Sequence, residues 1–220
     1  MMKPLLYAHP FSSYCQKVLV ALYENDTPFT LRKLGSEDPS AFAELESLWP
    51  LKKFPVLVDN GRVIAESSVI IEHLMIHHPG PSRLIPESAA DALEVRMMDR
   101  FFDNYVMAPM QAIVSDFMRA QKDRNPFGVA QSKSALEGAY RWLNSVMQRR
   151  EWASGGVFSL ADCAAAPALF FADWVHEIGK EFSHVRDYRQ RLLARASFAR
   201  AVQEARPYRV NFPPGAPDRD

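Results

Sequence analysis

His78-Pro79-Gly80-Pro81-Ser82-Arg83 divides the chain into two stretches of different texture. Two prolines flanking a glycine stop any regular element, so neither a strand nor a helix should run through this point. Before it, strand and helix signals alternate; after it, strand signals vanish. Leu5 to His9 reads as a short apolar strand. From Tyr14 to Glu24, Val18, Leu19 and Leu22 recur at the spacing of one helix face. Pro28 to Leu34 alternates as a strand, and Phe42, Leu45 and Leu48 mark a short helix. Asn60-Gly61 sits between two β-rich runs and readily takes the positive φ angles of a two-residue hairpin turn. The apolar run after Ala65 predicts a helix from Ser67 to His77. The order βαβαββα requires parallel pairing in its first βαβ unit, and the hairpin adds an antiparallel edge. An α/β domain over residues 1–78, a linker over 79–88, an all-helical (all-α) domain over 89–206 and a Pro-rich, irregular tail over 207–220 are expected.

Within the second stretch, Ala89 to Ala120 reads as one long helical run, kinked near Pro109. Ser132 to Arg149 reads as another, and Gly155-Gly156 breaks the pattern before a helix from Ser159 to His176. Shorter helices fill Val185 to Glu204. Ser159-Leu160-Ala161-Asp162 has capping-box spacing, with Asp in the third position. Asp162 therefore reads as structural, tying the start of a buried helix to the chain before it; a catalytic carboxylate is the competing reading. Cys163, beside Ala164, Ala165 and Ala166, reads as a core thiol.

Composition removes several classes of function. The chain has 220 residues, is 48% hydrophobic, and balances 26 basic against 26 acidic side chains. That length suits one large or two small globular domains. No net positive charge and no basic stripe exist, so nucleic acid is not an expected partner. No apolar run approaches the ~18 residues of a membrane span, so no membrane partner is expected. The N-terminus lacks a basic region followed by an apolar one, which argues against secretion. Cys15 and Cys163 are the only cysteines, which fits a reducing cytoplasm better than a disulfide framework.

Two helix starts carry candidate chemistry. Pro55 opens the first hairpin strand, where a missing N–H is tolerated, and X–Pro bonds adopt cis readily. A cis bond here would turn the Phe54 backbone outward to pair with an extended ligand. Glu66, Ser67 and Ser68 fall where a helix begins, with unpaired N–H groups and a partial positive charge that favour a carboxylate. Lys53 adds a nearby cation. The alternative is that Ser67 only caps the helix and Glu66 only answers its dipole. The other start is Pro10-Phe11-Ser12-Ser13-Tyr14-Cys15-Gln16-Lys17-Val18, a strand-to-helix junction of the kind that binds ligands in α/β folds. Ser12 or Ser13 can cap this helix, Ser13 with Gln16 in capping-box spacing, or can donate to a bound anion. A thiol ligand is the informative case. Its pKa of about 8.5 leaves little thiolate at neutral pH. Lowering that by about two units takes roughly 2.7 kcal/mol of selective stabilisation. One charge-assisted hydrogen bond plus a helix N-terminus is of that order. Ser12 and Cys15 have the spacing of a redox Cys-x-x-Cys pair whose first thiol is replaced, so ordinary dithiol exchange is lost, and Cys15 reads as a buried small residue. Tyr7, in mid-strand, is expected to pack or to point at the helical domain. His9, His77 and His78 have no metal-ligand spacing, no Gly-rich phosphate loop appears, and no metal is expected.

In this order, the Pro10–Val18 junction, Lys53-Phe54-Pro55, Glu66-Ser67 and Ser159–Asp162 resemble the cytosolic glutathione transferases, over nearly the whole chain up to about Arg206. The resemblance implies a thioredoxin-like N-terminal domain, an all-α C-terminal domain, a homodimer, glutathione as co-substrate and a cytoplasmic location. Ser12 matches the catalytic serine of theta- and zeta-like classes, with Ser13 adjacent and the choice between them open. The resemblance gives the Phe54 backbone before Pro55 to the cysteinyl part of glutathione, Glu66 and Ser67 to its γ-glutamyl end, and Lys53 to its glycine carboxylate. Ser159 and Asp162 match the family's N-capping box. The chain departs from the tyrosine classes, since Tyr7 precedes a different turn, and from the cysteine classes, since serine fills the nucleophile-facing place. An electrophile site is expected between the domains, with Phe11, Tyr105, Met107, Met110, Ile113 and Phe117 as lining; the competing reading places such residues in the core. The implied reaction is conjugation of the glutathione thiolate to a small hydrophobic electrophile. The alternatives are glutathione-dependent disulfide or peroxide reduction, and a non-catalytic binding or regulatory protein on the same fold.

Overall fold

The computed structural model describes residues 3–220. Its elements run β1 (Leu5–Ala8), α1 (Ser13–Glu24), β2 (Thr30–Lys33), α2 (Pro39–Leu48), β3 (Val56–Asp59), β4 (Arg62–Ala65), α3 (Ser67–His77), α4 (Ala89–Phe101), a π-helical segment Phe102–Met107, α5 (Ala108–Phe117), α6 (Pro126–Met147), α7 (Leu160–Val175), α8 (Ser183–Ala194) and α9 (Ala196–Ala205). A 3-10 turn, Arg206–Asn211, begins the tail.

The four strands lie in the order β2-β1-β3-β4. β1 pairs parallel with β2 and antiparallel with β3, and β3 with β4 closes the Asn60-Gly61 hairpin. Both turn residues have positive φ, as that turn requires. Strand alternation sorts the side chains into two layers. Leu6, Ala8 and Leu57 join the core that contains α1 and α3, whereas Tyr7 and Val56 pack with Leu34, Ala41 and Leu45 on the α2 side. Tyr7 therefore points away from the helical domain, and its hydroxyl donates to Glu44.

Strand structure ends at Ala65, apart from an isolated bridge between Trp152 and Gly155, so a mixed four-stranded α/β unit is followed by a helical one. At its centre runs α7, whose Ala-rich sequence is buried on all sides except at Val175. A helix apolar all round belongs inside a core, and the alanines let α1 and α4 approach it closely. The run expected over Ala89–Ala120 is three pieces. Pro109 cannot donate an N–H and its ring crowds the carbonyl four residues back, and the π-helical turn just before it shifts the hydrogen-bond register where an α-helix would clash. Helix α6 starts earlier than its periodicity suggests, because Asn125 caps it by accepting from the Gly128 N–H at 3.0 Å and Pro126 occupies the first turn. No helix among the described residues is long and apolar enough to cross a membrane.

Asp162 is fully buried and works as a structural tie. Its carboxylate accepts from the Ser159 N–H at 2.9 Å, the Ala153 N–H at 2.8 Å and the Tyr188 hydroxyl at 2.6 Å. Asp162→Ala strands these donors, and the buried Ser159 hydroxyl that also donates to it at 3.0 Å, at about 1–3 kcal/mol each. The variant should therefore lose roughly 3 kcal/mol or more, read as a lower urea midpoint. A variant as stable as the parent would remove this role.

Candidate functional site

Two hollows meet at the start of α1. The larger, about 510 Å³, is bordered by Ser12, Lys53, Phe54, Pro55, Glu66 and Ser67, from the Pro10–Val18 junction, Lys53-Phe54-Pro55 and Glu66-Ser67. Fold closure adds Tyr14, Trp49 and Lys52 from the same half, and Arg100, Asp103, Asn104 and Gln111 from the helical half. The Phe54–Pro55 peptide bond is cis. Glu66, the residue before α3, has φ 69° and ψ 119°. Such a conformation costs a non-glycine residue of order 1–3 kcal/mol and collects at ligand clamps. Ser67 is buried at the first turn of α3, while the Glu66 side chain is exposed. Lys53 has no carboxylate within 4 Å among the described residues, whereas Lys52 pairs with Glu46 at 2.7 Å.

Ser12 is the N-cap residue of α1, with extended backbone at φ −84° and ψ 127°, yet its hydroxyl makes no capping bond. The turn before it is held instead by the Phe11 and Ser12 N–H groups, which donate to the ring and the carbonyl of His9. Ser13 is buried, and the Gln111 amide donates to its hydroxyl at 3.2 Å. Gln16 does not complete a capping box; its side chain donates to the Pro10 carbonyl at 3.0 Å. Cys15 is fully buried, and burial pushes its thiol up to about 12, so it stays protonated and shielded. Tyr14 is likewise pushed up to about 12, by burial first and by Asp103 next, and stays a hydrogen-bond donor at neutral pH.

The second hollow, about 300 Å³, is bordered by Phe11, Ser12, Ser13, Met110, Gln111, Val114, Ser115, Met118 and Phe171, and by Asn211, Phe212 and Pro213 of the tail. Phe11, Phe171, Trp174 and Phe212 pack ring on ring beside it. Of the expected lining, Phe11 and Met110 are here. Met107 and Ile113 are core residues, Tyr105 borders a different hollow beside Trp142, and Phe117 lies under the Arg124 guanidinium. The π-helical segment rotates the helix between Tyr105 and Met110, so one spacing rule cannot serve both sides. The face presented is Met110, Gln111, Val114, Ser115 and Met118, a regular stripe along α5 and its C-cap that the change of register hid. Phe212 sits in a tail whose packing no local pattern signals.

Beneath the larger hollow lies an ion cluster. Lys17 of α1 reaches Asp99 at 2.6 Å and Asp103 at 2.7 Å, and donates to the Ser68 hydroxyl of α3 at 2.9 Å. Arg100 pairs with both aspartates from the solvent side and also contacts Ser68. Burial raises the Asp103 carboxyl, and Lys17 and Arg100 oppose that shift.

Residues 6–82 match the family described as glutathione S-transferase, N-terminal domain, and residues 126–191 match its C-terminal domain. FtsZ-localized protein A of Caulobacter vibrioides is 28% identical over 207 residues, covering 88% of each chain. Maleylacetoacetate isomerase of Rattus norvegicus is 28% identical over 179 residues, covering 78% of this chain and 79% of its own. The crystal structure of a glutathione S-transferase from Methylobacterium radiotolerans, in complex with glutathione sulfonate, superposes with a TM-score of 0.79 at 26% identity, over 91% of this chain and 95% of that one.

Removing one member of a buried ion cluster costs about 3–5 kcal/mol, because its partners are left uncompensated. Lys17→Met should therefore lower the urea midpoint sharply, whereas Lys53→Met, at an exposed position, should leave it within about 0.5 kcal/mol. Equal effects of the two changes would contradict the assignment.

Proposed function

The chain belongs to the cytosolic glutathione S-transferase family, and we propose that it conjugates the glutathione thiolate to a small hydrophobic electrophile, with the Ser12 hydroxyl stabilising the thiolate. The observation that carries this reading is the position of Ser12, which borders both hollows with its hydroxyl unspent on capping. In the larger hollow the peptide ends of glutathione find matching groups. Ser67 and the α3 N-terminus suit the γ-glutamyl carboxylate, Glu66 suits its ammonium, the Phe54 backbone suits the cysteinyl unit, and Lys53 suits the glycine carboxylate. The sulfur then lies toward Ser12, and the apolar hollow behind Phe11 and Met110 receives the electrophile. Ser13 is the weaker choice, since its hydroxyl already accepts from Gln111. Residues 1–78 act as the glutathione-binding domain and 89–206 contribute the electrophile side. A cytoplasmic homodimer completes the reading; Val69 and Ile76 on α3 and Leu93 and Met97 on α4 are exposed apolar side chains of the kind that mark interfaces.

A second reading draws on the Caulobacter relative named FtsZ-localized protein A. In it the fold serves a protein partner and Ser12 has no chemical role.

Ultraviolet absorbance of bound glutathione against pH separates the two. Ser12 stabilises the charged form, so the bound thiol should titrate below its free value of about 8.5. Ser12→Ala should raise that titration by about one unit or more, equivalent to about 1.4 kcal/mol per unit, and Ser13→Ala should leave it nearly in place. A titration unmoved by Ser12→Ala refutes the serine's role. Bound glutathione that titrates at its free value in the parent protein favours the second reading.

A further inference from the structure

Asp59, His73 and His78 meet at the far end of the hairpin from the larger hollow. Asp59 closes β3, His73 lies in α3, and His78 is the residue that ends α3. Both imidazoles aim Nε2 at the same oxygen, Asp59 Oδ2, at 2.9 Å from His73 and 2.8 Å from His78. The three ligand atoms lie within 4.8 Å of one another. The other Asp59 oxygen accepts from the Asn60 amide at 3.2 Å, the kind of outer contact that fixes a ligating carboxylate. Asp59 is 3% exposed, and the histidine side chains are 12% and 13% exposed, so the cluster is enclosed yet open to water on one side. The His77 ring lies against His73 at 4.3 Å and shields that flank.

We propose that Asp59, His73 and His78 form a divalent-cation site, with Zn²⁺ the best-matched ion. Two imidazole nitrogens and one carboxylate oxygen are a common zinc donor set, with water in the fourth position. Ligands about 2.0–2.1 Å from a tetrahedral ion lie about 3.3 Å apart. The observed 2.8 and 2.9 Å oxygen–nitrogen separations fall a few tenths of an ångström short of that, and the two imidazole nitrogens lie within 4.8 Å of each other, so side-chain rotation has to bring all three edges to it. Binding takes neutral imidazoles and releases whatever protons they carry. Sequence spacing gives no sign of this cluster, because it is assembled by folding. Asp59 and His73 come from different elements, and only the hairpin's packing against α3 brings them together. The ion would staple the hairpin to the C-terminal end of α3. The same two elements carry Pro55 and Ser67 at their other ends, so the staple also stiffens the frame of the larger hollow.

The test uses the full chain, stripped with a chelator. Zn²⁺ is titrated in competition with a chromogenic chelator, and Co²⁺ loading is followed by visible absorption. One Zn²⁺ per chain, a rise in melting temperature on zinc addition and the visible bands of tetrahedral Co²⁺ are expected. His73→Gln and His78→Gln should each weaken binding by about tenfold or more, and His77→Gln should not. Asp59→Asn keeps the side-chain shape while removing the anionic ligand, and should lose the Co²⁺ bands with its far-ultraviolet spectrum intact. Absence of stoichiometric binding, or binding that survives His73→Gln, His78→Gln and Asp59→Asn, overturns the proposal.

Discussion

Lys17 is a fully buried cation, and the packing of three segments answers to it. Taking a charge out of water costs several kcal/mol, and only close partners offset that. Here the partners come from elsewhere in the chain: Asp99 in α4, Asp103 in the π-helical segment and Ser68 in α3. Sliding α1 along the helical half, or turning α3, would leave a buried charge unpaired. The cluster therefore fixes the relative register of the elements that bear Ser12, Ser67 and Asp103. Apolar packing between α1 and α7 supplies bulk cohesion, but it discriminates poorly between neighbouring registers.

That constraint explains how the α/β unit and the helical one share a hollow. The α1 and α3 starts open on one side of the sheet, and the segment from Arg100 to Gln111 forms the facing wall. Each feature of this edge has a counterpart within the core. Cys15 lies one turn below Ser12 and is buried, so any thiol chemistry at this edge belongs to a ligand. Glu66 holds an unfavourable backbone conformation, and α3 begins immediately after it with Ser67 under cover. The aromatic packing of Phe11, Phe171 and Phe212 draws the tail against the second hollow and makes that side apolar.

Much of this was legible in the sequence where the determinants are local. Asn60-Gly61 specified its turn because few residues accept positive φ at both positions. The α3 helix runs over Ser67–His77 as its apolar run and its hairpin predict. Asp162 declared its structural role through spacing to Ser159, and its partners are backbone N–H groups together with the hydroxyls of Tyr188 and Ser159. The illegible parts are non-local. No local pattern around Lys17 announces Asp99 and Asp103, which only folding brings beside it. Met107 and Ile113 resemble pocket residues by type, yet the π-helical register turns them into the core. Asp59 and His73 share no motif, and their meeting depends on how the hairpin lies on α3.

The proposed chemistry requires that the larger hollow bind glutathione. Calorimetry with glutathione and the intact chain tests this most directly. Saturable heat with one glutathione per chain is predicted, and replacing Ser67 by Ala should weaken binding by about tenfold, the equivalent of one hydrogen bond to a charged group. No heat at millimolar glutathione, or binding indifferent to Ser67→Ala, would contradict it.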